Sequence, residues 1–315
     1  MLKNFFDNKK IFKLIVGAGN EDIETIKKLV SVYSKAGANV FDVRADRKII
    51  LEVSEMLEKI GQKDNFICAS IGLGNDIHFK KAQITANCTV CKNCIPSCPT
   101  GAISCVENII TIQKQKCIGC QYCLKVCDKE AVSFYSTPAD FEQTFFKISD
   151  LPVSYIEVHS DGTDEEIFRY FHFLKENFQG LKGICLSGNK ISNLEKIEII
   201  KKIKDIIYPQ KLVVQADGTA MSGFDNEKET TIKALEASKL FVESIDDIYV
   251  IPSGGTNANT ITLAREQKLD INGVAIGTYA RKIVWDYLFS DEQKSVEIAS
   301  VLVKNVKTKK RVKKY

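Results

Sequence analysis

Two cysteine runs constrain this chain more than any other feature: CTVCKNCIPSCP, starting at Cys88, and CIGCQYCLKVCD, starting at Cys117. Each has the form C-x2-C-x2-C-x3-C, the spacing of bacterial ferredoxins with two clusters. In that pattern the first three cysteines of a run grip one cubane and the fourth crosses to the other. The spacing therefore predicts one cluster on Cys88, Cys91, Cys94 and Cys127, and a second on Cys117, Cys120, Cys123 and Cys98. Thiolates suit iron–sulfide bonding because they are soft and polarisable, and two-residue gaps let one tight loop bring three sulfurs to one centre. A zinc ribbon or a disulfide framework are the competing readings, and the strict double spacing disfavours both. Pro99 follows the fourth cysteine of the first run as the pattern expects, whereas Asp128 stands at that place in the second.

Eight of the eleven cysteines fall in these runs, which implies a reducing interior where thiols survive to receive iron. The expected compartment is the cytoplasm, or the plastid stroma if the chain is plastid-encoded. Cys68, Cys105 and Cys185 are left over and read as small buried hydrophobes. No apolar run reaches the roughly 18 residues that a spanning helix needs, and the apolar core before Gly17 is too short for a secretory signal. Net charge is +4, yet seven Lys or Arg lie in the last twelve residues, so the body is mildly acidic. That tail, 304–315, reads as a solvated, disordered terminus; its lysines alternate with no aromatics, so nucleic acid is not an expected partner.

The rest of the chain alternates strand and helix. Apolar runs at 10–18, 39–43, 65–71, 154–158, 182–186, 212–215, 248–251 and 274–276 read as buried strands. Most are followed by apolar residues at helical spacing, as in Ile23, Ile26, Leu29, Val30 and Tyr33, and the last helix runs through Trp285 and Leu288. Eight such units predict an α/β fold, a (β/α)8 TIM-like barrel, with an open doubly wound sheet as the runner-up. The expected division is barrel strands one to three at 1–83, a ferredoxin-like insert at 84–136, the rest of the barrel at 137–303, and the tail. Removing the insert leaves about 260 residues, close to the roughly 250 typical of such barrels.

Loops after the strands line the mouth of a barrel. The insert follows strand three and is expected on that side. PSGGTN after strand seven and AIGTYARK after strand eight point to a phosphate site on Gly254, Gly255, Gly277 and Thr278, where backbone N–H groups can approach an anion. The alternative is that these glycines only make tight turns. Other polar residues at strand ends are Asp42, Arg44, His159, Asn189, Gln215 and Asp217. His159 and Asp217 are the candidate catalytic groups; His159 could move a proton at the mouth, or cap its loop by bonding Asp161. His78 and His172 read as structural or exposed. No nucleophile with an adjacent base is evident.

The succession FKLIVGAGNEDIETIKKLVSVYSKAGANVFDVRAD, paired cysteine runs, QADGTAMSG and PSGGTN resembles the light-dependent period protein A family, iron-sulfur proteins of circadian input in cyanobacteria. The resemblance implies a protein that senses or relays the state of electron transport, working with a redox partner (an electron donor, or a quinone or flavin pool) or a signalling protein. The residue-based alternative is an oxidoreductase in which two [4Fe-4S] clusters feed FMN or another phosphate-bearing ligand in the mouth. An inert scaffold stapled by clusters is the third reading.

Overall fold

The computed structural model of the chain describes all residues except 18, 75, 77, 78, 137–139, 220–227 and 309–315. In chain order the elements are α1 (Leu2–Asp7), β1 (Ile11–Gly17), α2 (Ile23–Lys35), β2 (Val40–Arg44), α3 (Arg47–Ile60) and β3 (Phe66–Gly72). An excursion follows through β4 (Lys80–Ile84), β5 (Ile103–Val106), β6 (Ile109–Ile112), α4 (Tyr122–Lys125) and β7 (Val132–Ser136). The alternation then resumes with α5 (Phe141–Phe146), β8 (Val153–Ser160), α6 (Ile167–Asn177), β9 (Leu181–Leu186), α7 (Asn193–Ile207) and β10 (Val213–Asp217). It ends with α8 (Lys228–Ser244), β11 (Tyr249–Ser253), α9 (Thr260–Glu266), β12 (Gly273–Ile276), α10 (Thr278–Val284) and α11 (Glu292–Lys307).

Eight parallel strands run in the order β11, β10, β9, β8, β3, β2, β1, β12, a barrel joined at every seam but one by strand pairing. At the last seam Asn272 does the joining. Its N–H donates to the Val250 carbonyl and its Oδ1 accepts from the Val250 N–H, both at 2.8 Å. The open sheet is therefore set aside.

Strand period explains the layering inside. Side chains alternate between faces, so Phe12, Leu14 and Val16 of β1 meet the helices while Ile11, Lys13 and Ile15 point inward. The lowest inward layer is apolar: Ile11, Val40, Cys68, Tyr155, Leu181, Val213 and Tyr249, closed from below by Leu2 and Phe6 of α1. Two residues further along, the layer turns ionic, with Lys13, Asp42, Glu157 and Gln215 buried. Two further still lies the rim, with Ile15, His159, Asp217 and Gly277.

Helices α1, α3 and α11 are additions to the alternation drawn from the sequence. Helix α11 runs through Lys307 with Val303 and Val306 buried, so the expected tail at 304 begins in packed helix; residues 309–315 lie outside the described residues. In the insert, β4 and β7 pair antiparallel from Lys80 with Ser136 to Ile84 with Val132, so its supporting strands start before residue 84. Among the described residues no helix is long and apolar enough to cross a membrane.

Gly273 tests the β1–β12 seam. A β-carbon there would stand 2.2 Å from the Ile11 carbonyl oxygen, which is backbone and cannot swing aside. Gly273→Ala is expected to cost about 1–3 kcal/mol or more, by analogy with overpacked cores. Denaturant titration checks it, and an unchanged midpoint would contradict the tight seam.

Candidate functional site

Beginning with the cysteines, the insert forms two small cavities related by its internal repeat. Cys88, Cys91, Cys94 and Cys127 line one of about 340 Å³, and Cys98, Cys117, Cys120 and Cys123 line the other, of about 320 Å³. Period two in the supporting strands divides their walls: Ile84, Ile110 and Val132 serve the first, while Ala82, Ile112 and Phe134 serve the second. Left-handed backbone recurs at matching places, Val90 and Lys92 in one loop and Gly119 and Gln121 in the other. A β-branched valine at φ 57° is an uncommon cost, of the kind found where a loop must curl round a ligand. The N–H groups of Ala102 and Ala131 donate to the sulfurs of Cys98 and Cys127 at 3.2 and 3.3 Å, equivalent bonds in the two repeats. Asp128 in place of proline therefore leaves the second loop's path intact.

These cavities fit a cubane by their chemistry. Burial, then the thiols of Cys120, Cys117 and Cys98, push the Cys123 thiol up to about 12. Sulfurs this crowded resist ionising together, and a cationic iron core removes that penalty. No two of the eleven cysteines are bridged. Of the leftover thiols, Cys68 and Cys185 are buried and Cys105 is partly exposed on β5.

The insert stands over the barrel mouth. Lys81 of β4 donates its ammonium protons to the carbonyls of Lys114 and Cys117 at 2.8 and 2.9 Å and also to that of Gly19, tying the second cysteine loop to the end of β1. As a result Ile118, adjacent to Cys117, lines both the second cysteine cavity and the mouth.

The mouth is a cavity of about 650 Å³ that gathers His159, Asp217, Gly254, Gly255, Gly277 and Thr278, together with Asp42 and Gln215. Asn189 is exposed and stands apart from this cavity, and Arg44 turns to Glu21 at 2.8 Å. His172 is exposed and His78 lies outside the described residues, as does the QADGTAMSG segment beyond Thr219. His159 bonds inward, its Nε2 3.0 Å from Glu157 Oε1 and 3.2 Å from Ser70 Oγ. Asp161 is taken instead by Thr163 and Lys190, so the loop-capping alternative for His159 does not hold. At Gly254 a β-carbon would fall on Asp217 Oδ1, so this glycine is where the loop packs onto that carboxylate.

Beneath the rim, Lys13 Nζ sits 2.9 Å from Asp42 Oδ2, 2.7 Å from Glu157 Oε1 and 2.8 Å from Gln215 Oε1. Asp42, Glu157 and His159 bring their ligand atoms within 4.8 Å of one another, and the Lys13 ammonium is the cation that pairs with the two carboxylates. Burial alone would depress the Lys13 ammonium, but Asp42, Cys68 and Glu157 outweigh it and hold the charge on. Likewise burial alone would raise Glu157, but Lys13 and His159 keep its carboxyl well below the usual range. Sequence reasoning passed over Lys13, Glu157, Lys81, Ile118 and Arg281. A signal was present for two of them, since Lys13 and Glu157 are lone charges at inward positions of otherwise apolar strands.

The chain matches the Light dependent period A C-terminal domain family over residues 147–313, and a family of unknown function, DUF561, over residues 1–70. It is 27% identical over 305 residues to Light dependent period A of Synechococcus elongatus, covering 91% of this chain and 85% of that one. It is 36% identical over 56 residues to Ferredoxin-3 of Chlorobaculum tepidum, 16% of this chain and 90% of that one. Tryptophan synthase of M. tuberculosis, in its aminoacrylate-bound form, superposes with a TM-score of 0.50 at 8% identity, over 97% of this chain and 98% of that one, a likeness of fold alone.

Proposed function

The chain belongs to the Light dependent period A C-terminal domain family and has an iron–sulfur, redox-related role, and we propose that its insert holds two [4Fe-4S] clusters that relay electrons between a redox partner and the barrel mouth. The observation that carries this reading is Ile118, one side chain shared by the walls of the second cysteine cavity and of the mouth. Cys88, Cys91, Cys94 and Cys127 would hold the outer cluster, and Cys98, Cys117, Cys120 and Cys123 the inner one. Such clusters supply reversible one-electron transfer. Cys91 is exposed, which opens the outer site to a partner such as an electron donor, a quinone or flavin pool, or a signalling protein. Lys81 holds the inner loop against the rim.

At the mouth, Gly254, Gly255, Gly277 and Thr278 would receive a phosphate group, as of FMN, with His159 and Asp217 beside it for proton transfer. What supports this second element is their convergence on one cavity. The chain then acts as a sensor when the mouth's state is read by a signalling protein, and as an oxidoreductase when a substrate is turned over there.

Anaerobic purification, an absorption spectrum and then denaturation test both elements. The expected result is a broad iron–sulfur band that dithionite bleaches, with a flavin released on unfolding. A colourless protein would sink the relay. Release of no chromophore would overturn the flavin and leave the clusters as the redox groups of a sensor.

A further inference from the structure

Among the described residues, Arg281 of α10 is a buried cation whose hydrogen-bond partners are all neutral. It is 9% exposed. Its Nη1 donates to the carbonyls of Ile15 and Val16 at 2.8 and 3.2 Å, and its Nη2 to Thr278 Oγ1 at 3.4 Å. Among the described residues no carboxylate pairs with it, although taking a charge out of water is costly unless an opposite charge answers it. Burial accordingly pulls the guanidinium below its usual value, to about 10, so it remains charged at neutral pH.

Two neighbours are placed to answer that charge. Arg281 lines the mouth, and with Ile118 and Thr278 it also lines a second cavity along the seam between insert and barrel. The guanidinium also interacts electrostatically with the Cys120 thiol of the inner cysteine site. Arg281 Nη1 and Ile118 Cγ2 both flank Gly17, 3.4 Å and 3.7 Å from where a β-carbon of that residue would stand. The guanidinium thus borders the space for a ligand and acts electrostatically on the inner cysteine site.

We propose that Arg281 is a counter-ion shared between the barrel mouth and the inner cluster: it binds the anionic group of a phosphate-bearing ligand, and it stabilises the reduced, more negative state of the cluster on Cys98, Cys117, Cys120 and Cys123. This deepens the relay reading and rests on it for the presence of the inner cluster. Reduction adds one electron from a one-electron donor, with no bond made or broken. A single fixed cation answers both negative charges, so each weakens the hold of the other. By linkage the two effects are equal in size. Ligand binding and inner-cluster reduction therefore oppose each other, which converts redox state into occupancy of the mouth.

The experiment uses the holoprotein and inorganic phosphate as the probe. Iron is counted first: about eight per chain upholds the relay reading, and fewer than that overturns it independently of Arg281. Phosphate affinity is then measured by calorimetry on oxidised and dithionite-reduced protein, and the two cluster potentials by EPR-monitored titration with and without phosphate. Reduction is expected to weaken phosphate binding about tenfold. The same tenfold appears as a fall of about 59 mV in one cluster's potential when phosphate saturates, the other being unmoved. Arg281→Gln should lose both phosphate binding and the shift, and Arg281→Lys, which keeps the charge, should restore the shift in part. Phosphate that binds equally in both redox states, a shift that persists in Arg281→Gln, or no phosphate binding to the wild type would each overturn the proposal.

Discussion

Cys127→Ala is expected to strip iron from the cavity of Cys88, Cys91 and Cys94, and not from that of its own run. Iron should fall from about eight to about four per chain, and Cys98→Ala should produce the same count by emptying the other cavity. The two variants are told apart by which signal survives. In Cys98→Ala the remaining cluster is the outer one, and its potential should ignore phosphate. The expectation follows from geometry, because Cys127 lies in the wall of the first cavity and Cys98 in that of the second. If both variants lost the same signal, or either kept about eight irons, the crossed ligation would be wrong.

The largest effect on stability is expected from Lys13→Met. The substitution leaves Glu157 and Asp42 buried without their cation, and breaking a buried pair in this way costs about 3–5 kcal/mol. The pH dependence carries the sharper signature. In the wild type the folded Glu157 carboxyl is held below the ordinary value of 4.5, so the stability it contributes is present above that value and fades as pH falls beneath it. Without Lys13, burial is opposed by His159 and by the Tyr155 hydroxyl, which donates to Glu157, and the Glu157 carboxyl rises. Stability of the variant should then increase as pH is lowered from neutral towards 5, the reverse of the wild type. Adding Glu157→Gln to Lys13→Met should recover much of the loss. Urea titrations across pH measure all of this; parallel pH profiles for the wild type and Lys13→Met would show that the buried pair contributes nothing.

Much of the fold was legible. The eight barrel strands fall where the apolar runs stand, since burial on both faces of a parallel sheet demands near-continuous apolar residues. Helix α11 escaped because the reading stopped at Trp285 and Leu288, although Asp291 caps Lys294 and a buried stripe follows through Val306. The gathering of His159, Asp217, Gly254, Gly255, Gly277 and Thr278 was also legible, as residues that end parallel strands share one rim. Arg281 stood in the quoted AIGTYARK yet was passed over, because a basic residue in the last turn of a short helix ordinarily faces water.

By itself the sequence determined whatever depends on short spacing. Two-residue gaps bring three thiols to one point, and alternation assigns each strand residue to the core or the interior. Only the tertiary structure decided which distant groups share a charge. Lys13 meets Glu157 across 144 residues and Gln215 across 202. Arg281 shares the walls of two cavities with Ile118 of the second cysteine loop only because β1 lies beside β12 and Lys81 fastens the insert there. Such pairings arise from barrel closure, which brings the two ends of the chain together, and electrostatic energy depends on that distance in space, not on separation along the chain.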